Sequence, residues 1–361
     1  MSEFIQFHVL TAYPPSNLNR DDLGKPKTAV VGGSQRLRVS SQSLKRAWRK
    51  SSFFQEALAG HIGIRTKEIG VRVEEALANG KDFQAVLEGK ADEVREPVDA
   101  KKAKEYSIEI AKVFGKCKKD SPEHEQMVHY SPEEIVVIGN LVARIAESGQ
   151  PPEEKELDLL RSEHTGVDIA MFGRMLANSP AYNTEAAVQV AHGITVHDVT
   201  LEDDYFTAVD DLNTGIENVG AAHIGELEFA SGLFYQYICI NRDLLVENLG
   251  GDEELASKAI RALAEAVVKV GPSGKQNSFA SRAYASYMLA ERGTQQPRAL
   301  SVAYLKAVKD ADVLGASISR LKETREKMDA VYGPCNAGCE EMDAHAGTGS
   351  LDAVLDFVSA R

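Results

Sequence analysis

A chain of 361 residues, 43% hydrophobic and 26% charged, has ordinary globular composition and can bury a sizeable core as two domains or as one domain with large insertions. Its 41 Lys and Arg against 54 Asp and Glu give a formal net charge of -13, which excludes a protein that coats nucleic acid nonspecifically through its overall charge. No apolar run approaches the roughly 18 residues of a membrane helix. The start, MSEFIQFHVL, has no basic n-region, and Cys117, Cys239, Cys335 and Cys339 do not make a disulfide framework, so a cytoplasmic location is expected.

Phe4 to Leu10 alternates as a first strand does, and Pro14, Pro15, Ser16 and Asn17 predict an irregular exit from it. Gly24, Pro26 and Gly32-Gly33 mark a loop that delivers the chain to Ser34 to Lys50, SQRLRVSSQSLKRAWRK. From Leu23 to Gln55 there are eight Lys or Arg and no Asp or Glu. In RLRVS the alternation of a strand puts Arg36 and Arg38 on one face and Leu37 and Val39 on the other. Ser40 and Ser41 are N-cap residues for a helix beginning near Gln42, and the free N–H groups of a helix start favour a phosphate. At about 100° per residue, Gln42, Lys45, Arg46 and Arg49 share one side of that helix, while Leu44, Ala47 and Trp48 share the other. The strand, turn and helix therefore present one basic, hydrogen-bonding surface.

Residues 55 to 165 are charged and helical in period, notably Lys101 to Phe114 and Pro132 to Glu147, and read as a helical insertion. The run Glu153 to Glu156 reads as a solvated helix end. Val167 to Met175 has strand-like composition, a short helix is expected over Glu185 to His192, and a strand over Ile194 to Thr200. The acidic and aromatic run Glu202 to Leu212, followed by the bend Asn213 to Gly220, suits a projecting hairpin. Glu228 to Asn241 reads as a central strand. A helix over 252 to 270 follows, capped by Asp252, with Leu255, Ala259, Leu263, Ala266 and Val270 as its buried stripe. The loop Gly271 to Lys275, a strand over Ser278 to Leu289, a helix from Asp310 to Tyr332 stopped by Gly333-Pro334, and a less regular tail complete an α+β pattern.

Five segments, in this order, carry a resemblance: Leu18 to Asp22, the Gly32-Gly33 turn, Arg36 to Ala47, Val167 to Ala170 with Gly173-Arg174-Met175, and Phe206 to Leu212. They closely resemble the backbone subunit of the type I-E CRISPR Cascade complex, often called CasC, over residues 1 to 55 and 165 to 290. The resemblance implies membership of the RAMP superfamily and a modified RRM (ferredoxin-like) fold drawn as a hand. The palm would be 1 to 54 and 166 to 361, the helical fingers 55 to 165, and the β-hairpin thumb about 196 to 225. It implies RNA contacts at Arg20, Lys27, Arg38, Ser40 and Gln42, at Lys45, Arg46 and Arg49, and at Lys275. It also implies a wedge beside a displaced nucleotide, made by Met175, Tyr205, Phe206 and Thr207. The implied partners are CRISPR RNA, target DNA paired to the guide, further copies in a head-to-tail helical filament, and the large, small and RNA-end-capping Cascade subunits, with no membrane and no cofactor. Aromatic residues of the usual RRM signature are absent from the strands, so bases are not expected to stack on the sheet face.

A ribonuclease is the rival class, since metal-independent cleavage needs an acid and a base flanking the scissile phosphate, and His8, His192, His197 and His223 supply imidazoles. Asp21, Asp22 and Asp168 are the carboxylates that a metal-dependent version would use. Cys335-x3-Cys339 with Glu340, Glu341 and His345 resembles an incomplete zinc site. Structural roles are expected for these groups, and the chain is expected not to be an enzyme. A generic oligomeric RNA-binding scaffold is the remaining alternative.

Overall fold

A computed structural model describes residues 2–90, 95–208 and 223–360. In chain order the elements are β1 (Phe4–Ser16), β2 (Thr28–Val31), β3 (Ser34–Val39), α1 (Ser41–Arg49), α2 (Ser52–Ala57), β4 (Ile64–Thr66), α3 (Ile69–Ala78), α4 (Phe83–Leu87), α5 (Ala100–Lys112), β5 (Val128–Tyr130) and α6 (Pro132–Ser148). Then come α7 (Val167–Phe172), β6 (Val188–Val190), β7 (Gly193–Thr195), β8 (Glu202–Ala208), β9 (His223–Asn241), α8 (Arg242–Asn248), α9 (Glu253–Lys269), α10 (Gln276–Phe279), β10 (Tyr287–Gly293), α11 (Val313–Tyr332), β11 (Gly338–Asp343) and α12 (Leu351–Ser359). The expected bend at Asn213 to Gly220, with Asp210 and Asp211 before it, lies outside the described residues. Among the described residues no helix is long and apolar enough to cross a membrane.

The chain divides into two compact units. The first, 1–57, 188–242 and 257–361, holds a mixed-length antiparallel sheet in the order β11-β10-β1-β9-β7-β3-β2, with β6 and β8 also pairing β9. β1 is central, which explains why both its faces are buried: Ile5, Phe7 and Val9 on one, Gln6, His8 and Leu10 on the other. The polar members of the second face are satisfied in a chain. Leu300 N–H donates to Tyr235 Oη at 3.1 Å, Tyr235 and His8 Nδ1 are 2.9 Å apart, and His8 Nε2 lies 3.2 Å from Glu291. Burial alone would raise the Glu291 carboxyl, but hydrogen bonds from His8 and Arg298 and their charges hold it far below the usual carboxylate range. An apolar cluster including Leu10, Tyr235, Leu289, Leu300, Tyr304 and Leu321 packs in the same unit.

The second unit, 58–187 and 243–256, is mostly helical and contains residues 166–187 and 243–256 in addition to the stretch read as an insertion. Its core is built on Val73, Leu77, Ile110, Phe114, Ile138 and Ile145, with the two-stranded β4-β5 ladder at Tyr130. α6 begins with a reciprocal cap: Ser131 Oγ accepts from Glu134 N–H, and Glu134 Oε2 accepts from Ser131 N–H.

Several sequence expectations change. β1 does not stop at Pro14 but runs to Ser16, its pairing with β9 shifting between Tyr13 and Ser16, so a bulge absorbs the two prolines. Val167 to Met175 is not a strand. α7 is a short helix whose Val167 to Met171 are all buried, so no helical period shows in the sequence, and Gly173 closes it at φ 82°. Glu185 to His192 is not a helix either, because Val188–Val190 pairs with β9 as β6. The Ile194 strand shortens to Gly193–Thr195. The expected Ser278 to Leu289 strand is a helical turn, α10, followed by a strand that starts only at Tyr287. The tail is regular: β11 pairs β10, and α12 is capped by Ser350 and buries Val354, Leu355 and Val358.

Candidate nucleic-acid interface

The basic segment is held in the first unit by its apolar half. Leu44 and Trp48 of α1 are buried, and Trp48 Nε1 donates to Val270 O at 3.2 Å. That leaves Gln42 and Arg46 exposed, with Lys45 and Arg49 half-buried; burial lowers the Lys45 pKa. Ser40 is the N-cap, extended at φ -70° and ψ 146°, its hydroxyl accepting from Ser43 N–H at 3.3 Å. Its own N–H donates to Asn19 Oδ1 at 2.9 Å. Ser41 N–H donates to His192 Nδ1 at 3.1 Å, and Leu44 N–H to Ser40 O at 3.1 Å. The N–H groups of Ser40, Ser41 and Ser43, which the helix itself leaves free, therefore already have partners, and any anion must be held chiefly by side chains. Partial burial and the nearby charges of Arg38 and Lys27 lower the His192 pKa.

Arg36 does not belong to this surface. It is 0% exposed, with Nη1 donating to Thr195 O at 2.9 Å and Nη2 to Tyr304 O at 3.2 Å. Alternation correctly separates it from the buried Leu37 and Val39, but residues around Tyr304 cover its face too. Arg38 alone of the pair reaches solvent, and only partly.

The loop before β2 is fixed by its own polar groups. Asn17 Nδ2 donates to Gly24 O and Glu228 O, and Asp21 Oδ1 accepts from the N–H groups of Leu23 and Lys25, each at 2.9 Å. Lys27 N–H donates to Asn19 O and Arg38 N–H to Lys27 O, both at 2.8 Å, which places Lys27 beside Arg38. Arg20 is exposed and, with Lys25, Lys275, Asp203, Glu226 and Glu228, lines a separate cavity of 320 Å³. Lys25 pairs with Glu228 there, so this cavity is of mixed charge. Lys275 is left-handed, φ 52°.

The residues expected to form a wedge fall in different units. Met175 is in the second. Gly173 turns the chain, Arg174 is buried in an ion pair with Glu134 at 2.8 Å, and Met175 is left 80% exposed. Tyr205, Phe206 and Thr207 stand on β8 in the first unit, and Tyr205 and Phe206 are 60% and 43% exposed. Phe206 pairs across the ladder with Gly225, where a Cβ would come within 2.4 Å of its ring, so the glycine makes room for the aromatic.

The histidines and carboxylates of the rival reading occupy other settings. Asp168 is buried, accepting from Gly63 N–H at 2.8 Å and lying 2.8 Å from His129 Nε2. Asp21 is engaged in its turn, and His8 lies in the buried chain at Glu291. His197 has Asp198 O at 2.8 Å from Nδ1 and accepts Leu233 N–H at Nε2. Cys335 is buried against Gln6 and Gln296, Cys339 faces Arg325, and His345 lies 3.7 Å from Asp312. Among the described residues no three His, Cys, Asp or Glu are grouped to hold a metal ion.

Sequence reasoning missed one feature. The C-terminal half of α1 and the 269–284 segment enclose a cavity of 490 Å³ lined by Arg46, Lys50, Lys269, Arg282 and Tyr284 among others. These residues are distant in sequence, and they meet because Trp48 is bonded to Val270 O and Ala285 N–H to Val268 O.

An extended antiparallel sheet with a helical companion unit is the architecture of chains in two solved assemblies. One, described as a CRISPR RNA-guided surveillance complex, pre-nicking, has a chain 28% identical to this one, with 99% of each chain covered and a TM-score of 0.79. The other, a CRISPR RNA-guided surveillance complex, has a chain 25% identical, again with 99% of each covered, at a TM-score of 0.70. Residues 5–354 match the family model of CT1975-like proteins, and the chain belongs to that family. No curated protein sequence matches it significantly.

Proposed function

We propose that this chain is a non-catalytic subunit that binds CRISPR RNA and repeats along it as the backbone of a type I-E Cascade, in RNA-guided recognition of target DNA during antiviral defence. The observation that carries the reading is the basic surface of β3, α1 and the preceding loop: Lys27 beside Arg38 ahead of the Ser40 cap, and Lys45, Arg46 and Arg49 along the helix that follows it, in a strongly acidic chain. Side chains of this kind grip phosphates and leave base edges free, so that sequence is read by pairing with the target. The likeness to chains of two RNA-guided surveillance complexes over their whole length supports the same reading. In the hand description, the first unit corresponds to an RRM-like palm carrying the β8-β9 thumb, and the second to fingers. A head-to-tail filament needs only one heterologous interface repeated along the RNA.

The reading as a non-enzyme rests on what this surface offers. General acid–base cleavage requires two groups titrating near neutrality on either side of a phosphate. His192 is the imidazole near Arg38 and Lys27, and its Nδ1 is committed to Ser41.

Charge reversal at Lys45 and Arg49 together tests the assignment. The variant should fold as the wild type does and lose tight binding to single-stranded RNA. The slope of log affinity against log salt should fall by about 1.4, for two phosphate contacts at about 0.7 each. Wild-type affinity at moderate salt would sink the surface assignment.

A further inference from the structure

The 490 Å³ cavity beside α1 is not accounted for by contacts along the exposed face of that helix. Its volume falls in the range that takes a ligand of nucleotide size. Among the described residues lining it there is no Asp or Glu, in a chain where acidic residues outnumber basic ones by 54 to 41. Arg46, Lys50 and Arg282 are exposed there. Lys269 is already neutralised, its Nζ 2.7 Å from Glu265 and 5.0 Å from the centroid of the Phe53 ring. Tyr284 is 64% exposed, which leaves its ring open to a ligand in the cavity. The wall that carries it is held by its own hydrogen bonds. Ala285 N–H is bonded to Val268 O, and the Gln276 amide donates to Pro272 O and to Ser281 at both its carbonyl and its hydroxyl. Lys275 and Ala280 hold left-handed conformations at φ 52° and 47° on either side of that turn, a strain that the surrounding bonds maintain.

Cations without carboxylates select an anion, and an exposed ring on a fixed wall selects a flat partner. We propose that this cavity is a further subsite for single-stranded RNA that takes one nucleotide, its phosphate directed to Arg46, Lys50 and Arg282 and its base stacked on Tyr284. The subsite rests on the RNA-binding function proposed above and extends it past the face of α1, with Arg46 common to both. Stacking on a phenol ring is indifferent to base identity, so the subsite holds register without reading sequence. An acidic peptide would use the cations but gain little from the ring.

The test uses the full chain and single-stranded RNA carrying 4-thiouridine, with affinity measured by titration and contacts by photocrosslinking and peptide mass spectrometry. Tyr284→Ala should weaken binding about fivefold or more, Tyr284→Phe should stay close to wild type, and Arg282→Gln should lower the salt slope by about 0.7. Crosslinks should map to the peptide containing Tyr284. If Tyr284→Ala and Arg282→Gln, both folded, bind as tightly as wild type while the Lys45 and Arg49 reversal abolishes binding, the subsite is wrong and the RNA-binding function stands. If the wild type binds no RNA, both fall. If poly-glutamate competes as well as poly-uridylate, the cavity selects charge alone and the nucleotide assignment is overturned.

Discussion

Arg36 and Arg38 stand two residues apart on one strand and divide the work of the basic segment between them. Arg36 donates to two main-chain carbonyls in the sheet interior, while Arg38 lies beside Lys27 and His192. Arg36→Ala would leave the Thr195 and Tyr304 carbonyls unpaired and open a void, and should destabilise the first unit by about 2–4 kcal/mol. Arg38→Ala should change stability by no more than about 0.5 kcal/mol and weaken RNA binding. Urea unfolding alongside RNA titration separates the two, and equal stability losses would contradict the division. The alternation of RLRV was legible, and so was the burial of Leu37 and Val39. What the sequence does not show is that a segment some 270 residues later, ending at Tyr304, covers the face that Arg36 shares with Arg38. The same limit hid Lys50, Arg282 and Tyr284, which only folding brings to one cavity.

At the scale of elements, legibility followed the length and periodicity of each segment. α1 and α9 announce themselves through caps and apolar stripes, α6 through its helical period and α11 through its Gly333-Pro334 stop, and Ser40 and Asp252 accept the expected N–H groups. Short segments fail for a physical reason: α7 is buried on every side and β6 is made a strand by β9, so neither carries a period of its own. The β8-β9 ribbon is intermediate. Its strands and its exposed Tyr205 and Phe206 are present, whereas its tip lies outside the described residues. Phe206 is seated over Gly225, a pairing that spends a glycine to keep the ring at the surface. Phe206→Ala should therefore impair assembly of several copies along one RNA, measured by the mass of the complexes formed, more than it impairs RNA affinity at one protein per RNA. An equal loss in both would argue against a wedge.

For the molecule as a whole, charge and architecture point the same way. A chain of net charge -13 has one window, Leu23 to Gln55, with eight Lys or Arg and no Asp or Glu, and that window lies in the unit built on the large sheet, beside a cavity that among the described residues is also lined without carboxylates. In the proposed function, such a window holds the RNA on one track while the acidic remainder of the chain repels it. Composition and the RLRVSSQ segment made the basic window legible in the sequence, and the resemblance to a Cascade backbone subunit was carried by that window together with Leu18 to Asp22, Val167 to Met175 and Phe206 to Leu212. The boundary after residue 187, and the inclusion of 243–256 in the helical unit, had no composition shift to reveal them. The central claim, that this protein holds an intact CRISPR RNA, is tested most directly by purifying it from its native cells and sequencing the RNA that accompanies it. Short RNAs with repeat-derived ends, left intact after incubation with and without divalent metal, are the predicted result. RNA of random origin, or cleavage abolished by Asp168→Asn, would contradict it.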